Sequence, residues 1–209
     1  MMSGLTIAVP RGALLRETLD LLDMLGLDTA EVRSNDRKLL FADVGIVTMR
    51  PSDVPTYVEA GAADVGITGK DVLTEQAERL VYELLDLQYG SCRMVLATVD
   101  GPDPSAEALR RLGVMRVATK YPKTAAAFFE MTGRQAEIVE VKGSVELAPL
   151  TGLVEAIVDL TATGTTLREN NLVIREDLFT STARLIANPV AHKLKAEAID
   201  TMLEKLRAP

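Results

Sequence analysis

Short apolar runs alternate with amphipathic stretches along nearly the whole chain, and few architectures satisfy that pattern. Residues 5–9, 44–49, 65–68, 80–87, 94–98, 115–119 and 136–141 are too short and too apolar for surface helices and read as strands. Residues 172–174 and 182–187 add two more. Between them, Leu14, Leu15, Leu19, Leu22 and Leu25 recur at helical spacing. Further helices are expected over 52–60, 71–77, 104–112, 124–131 and 190–206. Ser52 and Asp53 are candidate N-caps of the second, where Pro55 suits only the first turn, and Asp71 of the third. Strands alternating with helices imply α/β layers with mostly parallel sheets. No repeat or low-complexity linker interrupts the pattern, and a junction is expected near Gly90–Cys92.

One strand end carries chemistry. Ala156-Ile157-Val158 feeds Asp159, and Leu160-Thr161-Ala162-Thr163-Gly164-Thr165-Thr166 leads into a segment able to turn helical. Free N–H groups at a helix start attract anions, and a Thr/Gly loop lets a phosphate approach and adds hydroxyl donors. Asp159 has the wrong charge for phosphate but can accept from the two vicinal hydroxyls of a ribose. One loop can thus hold both ends of a ribose 5-phosphate. Taken alone, it fits an ordinary capped βα turn equally well.

Bulk properties narrow the class. A chain of 209 residues with 47% hydrophobic and 25% charged residues suits a globular protein of one or two domains. The net charge of −7 and 4% aromatic content disfavour a nucleic-acid or acidic-membrane partner. A single cysteine, Cys92, excludes an intrachain disulfide and is expected to be a buried apolar filler. The lone His192, expected at the surface, cannot build a His-rich metal site, and no nucleophile elbow supports a triad through it. Residues 1–5 do not resemble a signal peptide and no stretch reaches membrane-span length, so a cytoplasmic location is expected.

The stretch from Gly143-Ser144-Val145-Glu146-Leu147-Ala148-Pro149-Leu150 through Leu167 resembles the signature of the ATP phosphoribosyltransferases. Ala8-Val9-Pro10-Arg11-Gly12, Arg50 to Glu59, Ala63 to Asp71, Gly90-Ser91-Cys92-Arg93 and Val117 to Pro122 fit the same family in order, so the resemblance covers nearly the whole chain. It implies a two-lobed, periplasmic-binding-protein-like (type II) clamshell with a hinge, one lobe from 1–91 plus 178–209 and the other from 92–177. It also implies transfer of phosphoribosyl from phosphoribosyl pyrophosphate to N1 of ATP, with Mg²⁺ accompanying the pyrophosphate and no dedicated protein metal ligands.

Residue by residue, the resemblance assigns Asp159 and Thr161, Ala162, Thr163, Gly164, Thr165 and Thr166 to the ribose 5-phosphate. Arg11, Gly12, Arg50, Gly69, Asp71, Arg93, Lys120 and Glu146 are assigned to nucleotide or polyphosphate, and Asp159 and Arg50 to catalysis. Each has a plainer reading as a solvated charge, a cap or a turn. Ala13 and Ala125 stand near places where the family usually has arginine, and Val154 where it has a smaller residue. The length, ending at Pro209, implies the short form, built from homodimers and working with a regulatory subunit resembling histidyl-tRNA synthetase, a hetero-octamer by family precedent. Two rivals stand beside this reading. One is a non-catalytic clamshell that binds a small anion. The other is a nucleotide-salvage or nucleotide-synthesis phosphoribosyltransferase, whose loop usually carries an acid pair where this chain has Val158-Asp159.

Overall fold

The computed structural model describes residues 4–207. The chain packs as two units, Met1–Gly90 with Thr182–Pro209, and Ser91–Ser181. In chain order the first unit supplies β1 (Ile7–Pro10), α1 (Leu15–Met24), α2 (Ala30–Ser34), β2 (Leu40–Phe41), β3 (Ile46–Met49), α3 (Val54–Glu59), β4 (Val65–Gly69), α4 (Lys70–Glu75) and β5 (Tyr82–Asp86). The second supplies β6 (Cys92–Val99), α5 (Pro104–Leu112), β7 (Met115–Thr119), α6 (Pro122–Met131), β8 (Ala136–Glu140), α7 (Leu147–Leu150), β9 (Ala156–Thr161), α8 (Thr165–Glu169) and β10 (Leu172–Ser181). The chain then returns to the first unit with β11 (Ala183–Ala187), α9 (Pro189–Leu194) and α10 (Ala196–Arg207).

Both sheets are mixed. The first runs β2-β3-β1-β4-β11-β5 and the second β10-β6-β9-β7-β8. In the first, β3, β1 and β4 are parallel, and β11 lies antiparallel between β4 and β5, which restores β5 to their direction. In the second, β9, β7 and β8 are parallel, and β6 plays the same reversing part before β10. Most strands of each sheet therefore point one way, as the βα alternation requires.

Side-chain alternation decides what each face buries. In the first unit, Ile7, Val9, Ile46, Ile67 and Leu185 pack beneath Leu19 and Leu22 of α1 and Ile199 and Met202 of α10. The opposite face puts Ala8, Met49 and Ile186 against Val54 and Val58 of α3. Gly66 of β4 sits under that helix. A Cβ there would come within 2.6 Å of Val54 Cγ1 and 2.8 Å of Val58 Cγ2. In the second unit, Met94, Leu96, Val117 and Val158 face Phe129 and Ala125 of α6, while Val95, Ala118 and Ile157 face Val145, Ala148, Val154 and Leu167. Each fully buried aliphatic side chain contributes about 1.5–3 kcal/mol, so the alternation fixes the register.

The elements depart from the sequence expectations where tertiary contacts override local pattern. The expected strand over 172–174 continues to Ser181, through bulges next to Glu176 and Asp177. Its charged Arg175-Glu176-Asp177 run hides the strand, yet each charge finds a partner. Arg175 Nε donates to Thr98 Oγ1 at 2.8 Å, Glu176 pairs with Arg134, and Asp177 pairs with Arg93. The second junction between units consequently follows Ser181, still paired with Cys92, rather than residue 177. The single helix expected over 190–206 is two, because Lys195 leaves the helical path (φ −119°, ψ 30°). Its Nζ binds Asp64 Oδ2 and Gly4 O, both at 2.7 Å. Neither expected cap forms. Asp53 holds the N-cap position of α3 without a side-chain cap bond, after a 3-10 turn over Pro51–Asp53, and Gly69 rather than Asp71 caps α4. Cys92 is half-buried rather than buried. Asp103 does cap α5, accepting from Ser105 N at 2.9 Å and Ala106 N at 3.3 Å. Among the described residues no helix is long and apolar enough to cross a membrane.

Candidate active site

In the second unit, β7 and β9 run parallel, with Thr119 at the end of β7 beside Val158, while β9 runs on past Asp159 to Thr161. Alternation puts Lys120 in line with Ala118 and Asp159 in line with Ile157, on the face that also packs α7 and α8. Asp159 is only 6% exposed. Its Oδ1 accepts from Leu160 N at 2.9 Å, and its Oδ2 lies 3.5 Å from Lys120 Nζ. Burial pushes the Asp159 carboxyl up. The Lys120 charge and the Leu160 N–H pull it back, and the neighbouring Glu146 charge adds to the upward push. Each carboxyl oxygen retains a lone pair for a hydroxyl donor. Glu146 sits at the start of α7 and is half-buried.

The loop after β9 is tied to itself. Thr161 Oγ1 accepts from Gly164 N at 2.8 Å, and the Thr163 and Thr165 hydroxyls are 2.9 Å apart. Gly164 turns the chain at φ 72°, a conformation that costs side-chain-bearing residues but not glycine. Gly164 at the N-cap brings no side chain of its own, and the Thr165 N–H leans on Thr163 Oγ1 at 3.4 Å, so the Thr166 and Leu167 N–H groups of the opening turn are the ones left for a ligand. Arg168, which sequence reasoning did not select, reaches back to the loop: Nη1 donates to Thr163 O at 2.9 Å and Nη2 to Thr165 Oγ1 at 3.0 Å. The signal was available, since Arg168 stands three residues after Thr165 on one helical face.

In the first unit the C-terminal ends of the parallel strands carry the expected cations, the usual position of ligand sites in open α/β sheets. Arg11 follows β1 and Arg50 follows β3, and Arg11 N donates to Met49 O at 2.7 Å. Both arginines line one cavity of about 390 Å³ with Thr48, Asp53, Leu39 and Tyr57. Arg11 also contacts Asp36 through its guanidinium, and Gly12 bends away at φ 81°. Arg50 is exposed. Leu39 and Tyr57, 51% and 45% exposed, give the cavity an apolar wall suited to a planar ring. Sequence reasoning did not pick out that pair, because Leu39 lies in a segment without periodicity. Gly69 and Asp71 occupy the neighbouring β4–α4 turn and do not line this cavity. That turn is fastened to the Arg50 turn by Thr68 Oγ1 donating to Pro51 O and Gln76 Nε2 donating to Ser52 O, both at 2.8 Å. A larger cavity, about 680 Å³, opens at the other strand ends by Leu5 and Gly45. Its charged residues are Asp28, Asp43 and Lys205, a poor match for polyphosphate.

Two of the remaining candidates have close partners. Arg93 Nη1 donates to both Asp177 carboxylate oxygens, at 2.8 and 3.0 Å, across the β6–β10 pair. Lys120 stands against Asp159 rather than against another cation. Of the two carboxylates nearest the strand ends, Glu146 reaches Asp159 electrostatically, whereas Glu140 is exposed at the end of β8.

Residues 50–208 match the family model described as HisG: ATP phosphoribosyltransferase. A protein from Rubrobacter xylanophilus named ATP phosphoribosyltransferase is 53% identical over 205 residues, covering 97% of this chain and 94% of that protein. One of the same name from Symbiobacterium thermophilum is 47% identical, covering 99% and 95%. A solved ATP phosphoribosyl transferase (HisG:HisZ) complex from Thermotoga maritima superposes with a TM-score of 0.80 at 35% identity, covering 97% of this chain and 96% of that one. The periplasmic aliphatic sulphonate binding protein SsuA from Escherichia coli shares the fold, with a TM-score of 0.61 at 15% identity, covering 97% and 70%. The chain belongs to the ATP phosphoribosyltransferase family, on a periplasmic-binding-protein-like α/β fold.

Proposed function

We propose that Asp159 and the loop from Thr161 to Thr166 hold the ribose 5-phosphate end of phosphoribosyl pyrophosphate. Arg11 and Arg50 then take polyphosphate, with the Leu39–Tyr57 wall beside them. As a family member, the chain transfers phosphoribosyl to N1 of ATP and releases pyrophosphate, the first step of L-histidine biosynthesis. The observation carrying the site assignment is the buried Asp159 in the last half of β9, followed after Thr161 by a glycine-turned loop that leads into α8.

The chemistry follows from those groups. As the pyrophosphate departs, C1 of the ribose gains positive character, and the enzyme must fix N1 of ATP against it and stabilise the leaving charge. Asp159, a carboxylate within reach of the ribose hydroxyls, orients the sugar and favours the cationic carbon. Arg50 is exposed at a strand end, placed to bind the phosphates of ATP and to stabilise the departing pyrophosphate, and Arg11 neutralises charge beside it. Lys120 partly offsets the burial that pushes the Asp159 carboxyl up, and the Glu146 charge adds to that push. Gly69, Asp71 and Arg93 are assigned to support of the nucleotide turn and of the strand pair rather than to direct contact. No covalent nucleophile is required.

Bound with the pyrophosphate, Mg²⁺ would neutralise part of its charge beside Arg11 and Arg50. Among the described residues no group of three or more His, Cys, Asp or Glu is placed to hold a metal.

A hetero-oligomer with a regulatory subunit is proposed by likeness to the Thermotoga maritima complex. A homodimeric building unit, an octameric assembly and a cytoplasmic location complete the reading. The reaction is tested by a mass spectrum of nucleotides after incubation with ATP, phosphoribosyl pyrophosphate, Mg²⁺ and pyrophosphatase, with and without such a subunit. ATP should gain one phosphoribosyl unit. Unmodified ATP in both arms, from folded protein, would overturn it.

A further inference from the structure

We infer that Arg168 is a positioning residue for the ribose 5-phosphate loop, clamping it into its anion-binding shape before the ligand arrives. This rests on the proposed assignment of that loop. The guanidinium spans the turn: one nitrogen binds Thr163 O at 2.9 Å and the other Thr165 Oγ1 at 3.0 Å, the acceptors lying on either side of Gly164. Gly164 is the left-handed residue on which the turn depends, and a Cβ there would come within 3.1 Å of Arg168 Nη1. Glycine at 164 therefore serves the arginine as well as the backbone.

The clamp has two consequences. The Thr163 carbonyl oxygen is engaged by a cation, so its negative end is held in place. The Thr165 hydroxyl oxygen accepts from Arg168, which commits its own proton to another acceptor, either Thr163 Oγ1 at 2.9 Å or an arriving phosphate oxygen. Both partners of Arg168 are neutral, so its positive charge is not cancelled by a carboxylate and adds to the field at the loop. A lysine could supply the charge but not the planar fork that reaches both acceptors. The cost of ordering an exposed loop is met before binding rather than during it.

The test is calorimetric titration of the full chain with ribose 5-phosphate, and separately with ATP, for the wild type, Arg168→Ala, Arg168→Lys and Thr165→Ala. Arg168→Ala should weaken ribose 5-phosphate about 10-fold, in the range of a lost charge-assisted hydrogen bond. ATP affinity and melting temperature should be unchanged, and Arg168→Lys should recover little of the loss. Full recovery in Arg168→Lys would overturn the clamp and leave only a charge effect. Equal weakening of ATP, or a lowered melting temperature, would reduce Arg168 to a structural residue and also overturn the proposal. Wild-type affinity in Arg168→Ala beside weakened Thr165→Ala would overturn the clamp while the loop assignment stands. Ribose 5-phosphate binding indifferent to Thr165→Ala would overturn the loop assignment itself, and the proposal with it.

Discussion

The two candidate binding regions are built in opposite ways. The loop in the second unit is continuous in sequence, running from Asp159 to Arg168, and the hydrogen bonds that shape it join residues at most five apart, with Lys120 reaching Asp159 from the end of β7. The arginine cavity in the first unit gathers residues 11, 39, 48, 50, 53 and 57 from separate segments and exists only because β1 and β3 pair in register and α3 packs on Gly66. A local site should fail locally when altered. An assembled site should fail whenever its scaffold does.

Asp159→Asn gives the largest expected effect, a fall in turnover of about 10²–10³-fold, the range for losing one group aimed at transition-state charge. The same change should stabilise the fold. A carboxyl whose folded value is raised contributes stability that is present below the ordinary value, 3.8, and lost as pH rises through the folded value. At pH 7 the buried carboxylate is therefore a cost, and the neutral amide removes it. Asp159→Asn should melt higher than the wild type at pH 7, with the gap closing toward pH 4. An unchanged or lower melting temperature at pH 7 would show that Lys120 more than offsets the burial.

Arg50→Ala comes next, with kcat/KM reduced about 10²-fold and the melting temperature unmoved, because the side chain is exposed and only its charge is lost. Steady-state kinetics together with a thermal melt would check it, and a parallel fall in stability would place Arg50 in the scaffold. Gly66→Ala sharpens the contrast. Forcing a methyl against Val54 and Val58 should cost about 1–3 kcal/mol. By tilting α3 it should also weaken ATP binding while leaving ribose 5-phosphate affinity intact. Equal damage to both ligands would break the distinction between local and assembled sites.

The smallest effects lie away from either site. Tyr89 is partly buried, its phenol 2.7 Å from the Thr18 hydroxyl, and burial pushes its pKa up to about 12. Tyr89→Phe should cost about 1 kcal/mol and leave turnover alone. Arg93→Gln removes a half-exposed pair with Asp177, a loss of at most about 1 kcal/mol. A loss of turnover in Arg93→Gln would return Arg93 to the substrate.

The same contrast explains what the sequence made legible. The strand, loop and helix start around Asp159 could be read because every part is contiguous and each residue type has a local reason. The βα alternation likewise gave the layers and most strand positions. The Leu39–Tyr57 wall was illegible because Leu39 reaches it only through the pairing of β2 with β3, where Thr48 N donates to Leu39 O, and Tyr57 only through the packing of α3. The length of β10 was hidden by Arg175, Glu176 and Asp177, whose charges are acceptable in a strand only because Thr98, Arg134 and Arg93 stand opposite. Asp53 and Asp71 looked like caps by residue type, yet Asp53 holds the N-cap position of α3 without a cap bond and Gly69 holds that of α4.

The division of labour between the two regions is the central claim, and titrating ribose 5-phosphate and ATP separately into Asp159→Asn and Arg50→Ala tests it most directly. Asp159→Asn should lose ribose 5-phosphate affinity and keep ATP affinity, and Arg50→Ala should do the reverse. If either substitution weakened both ligands to the same extent, or if each struck the other's ligand, the assignment of sugar phosphate to the loop and of polyphosphate to the arginine cavity would be contradicted.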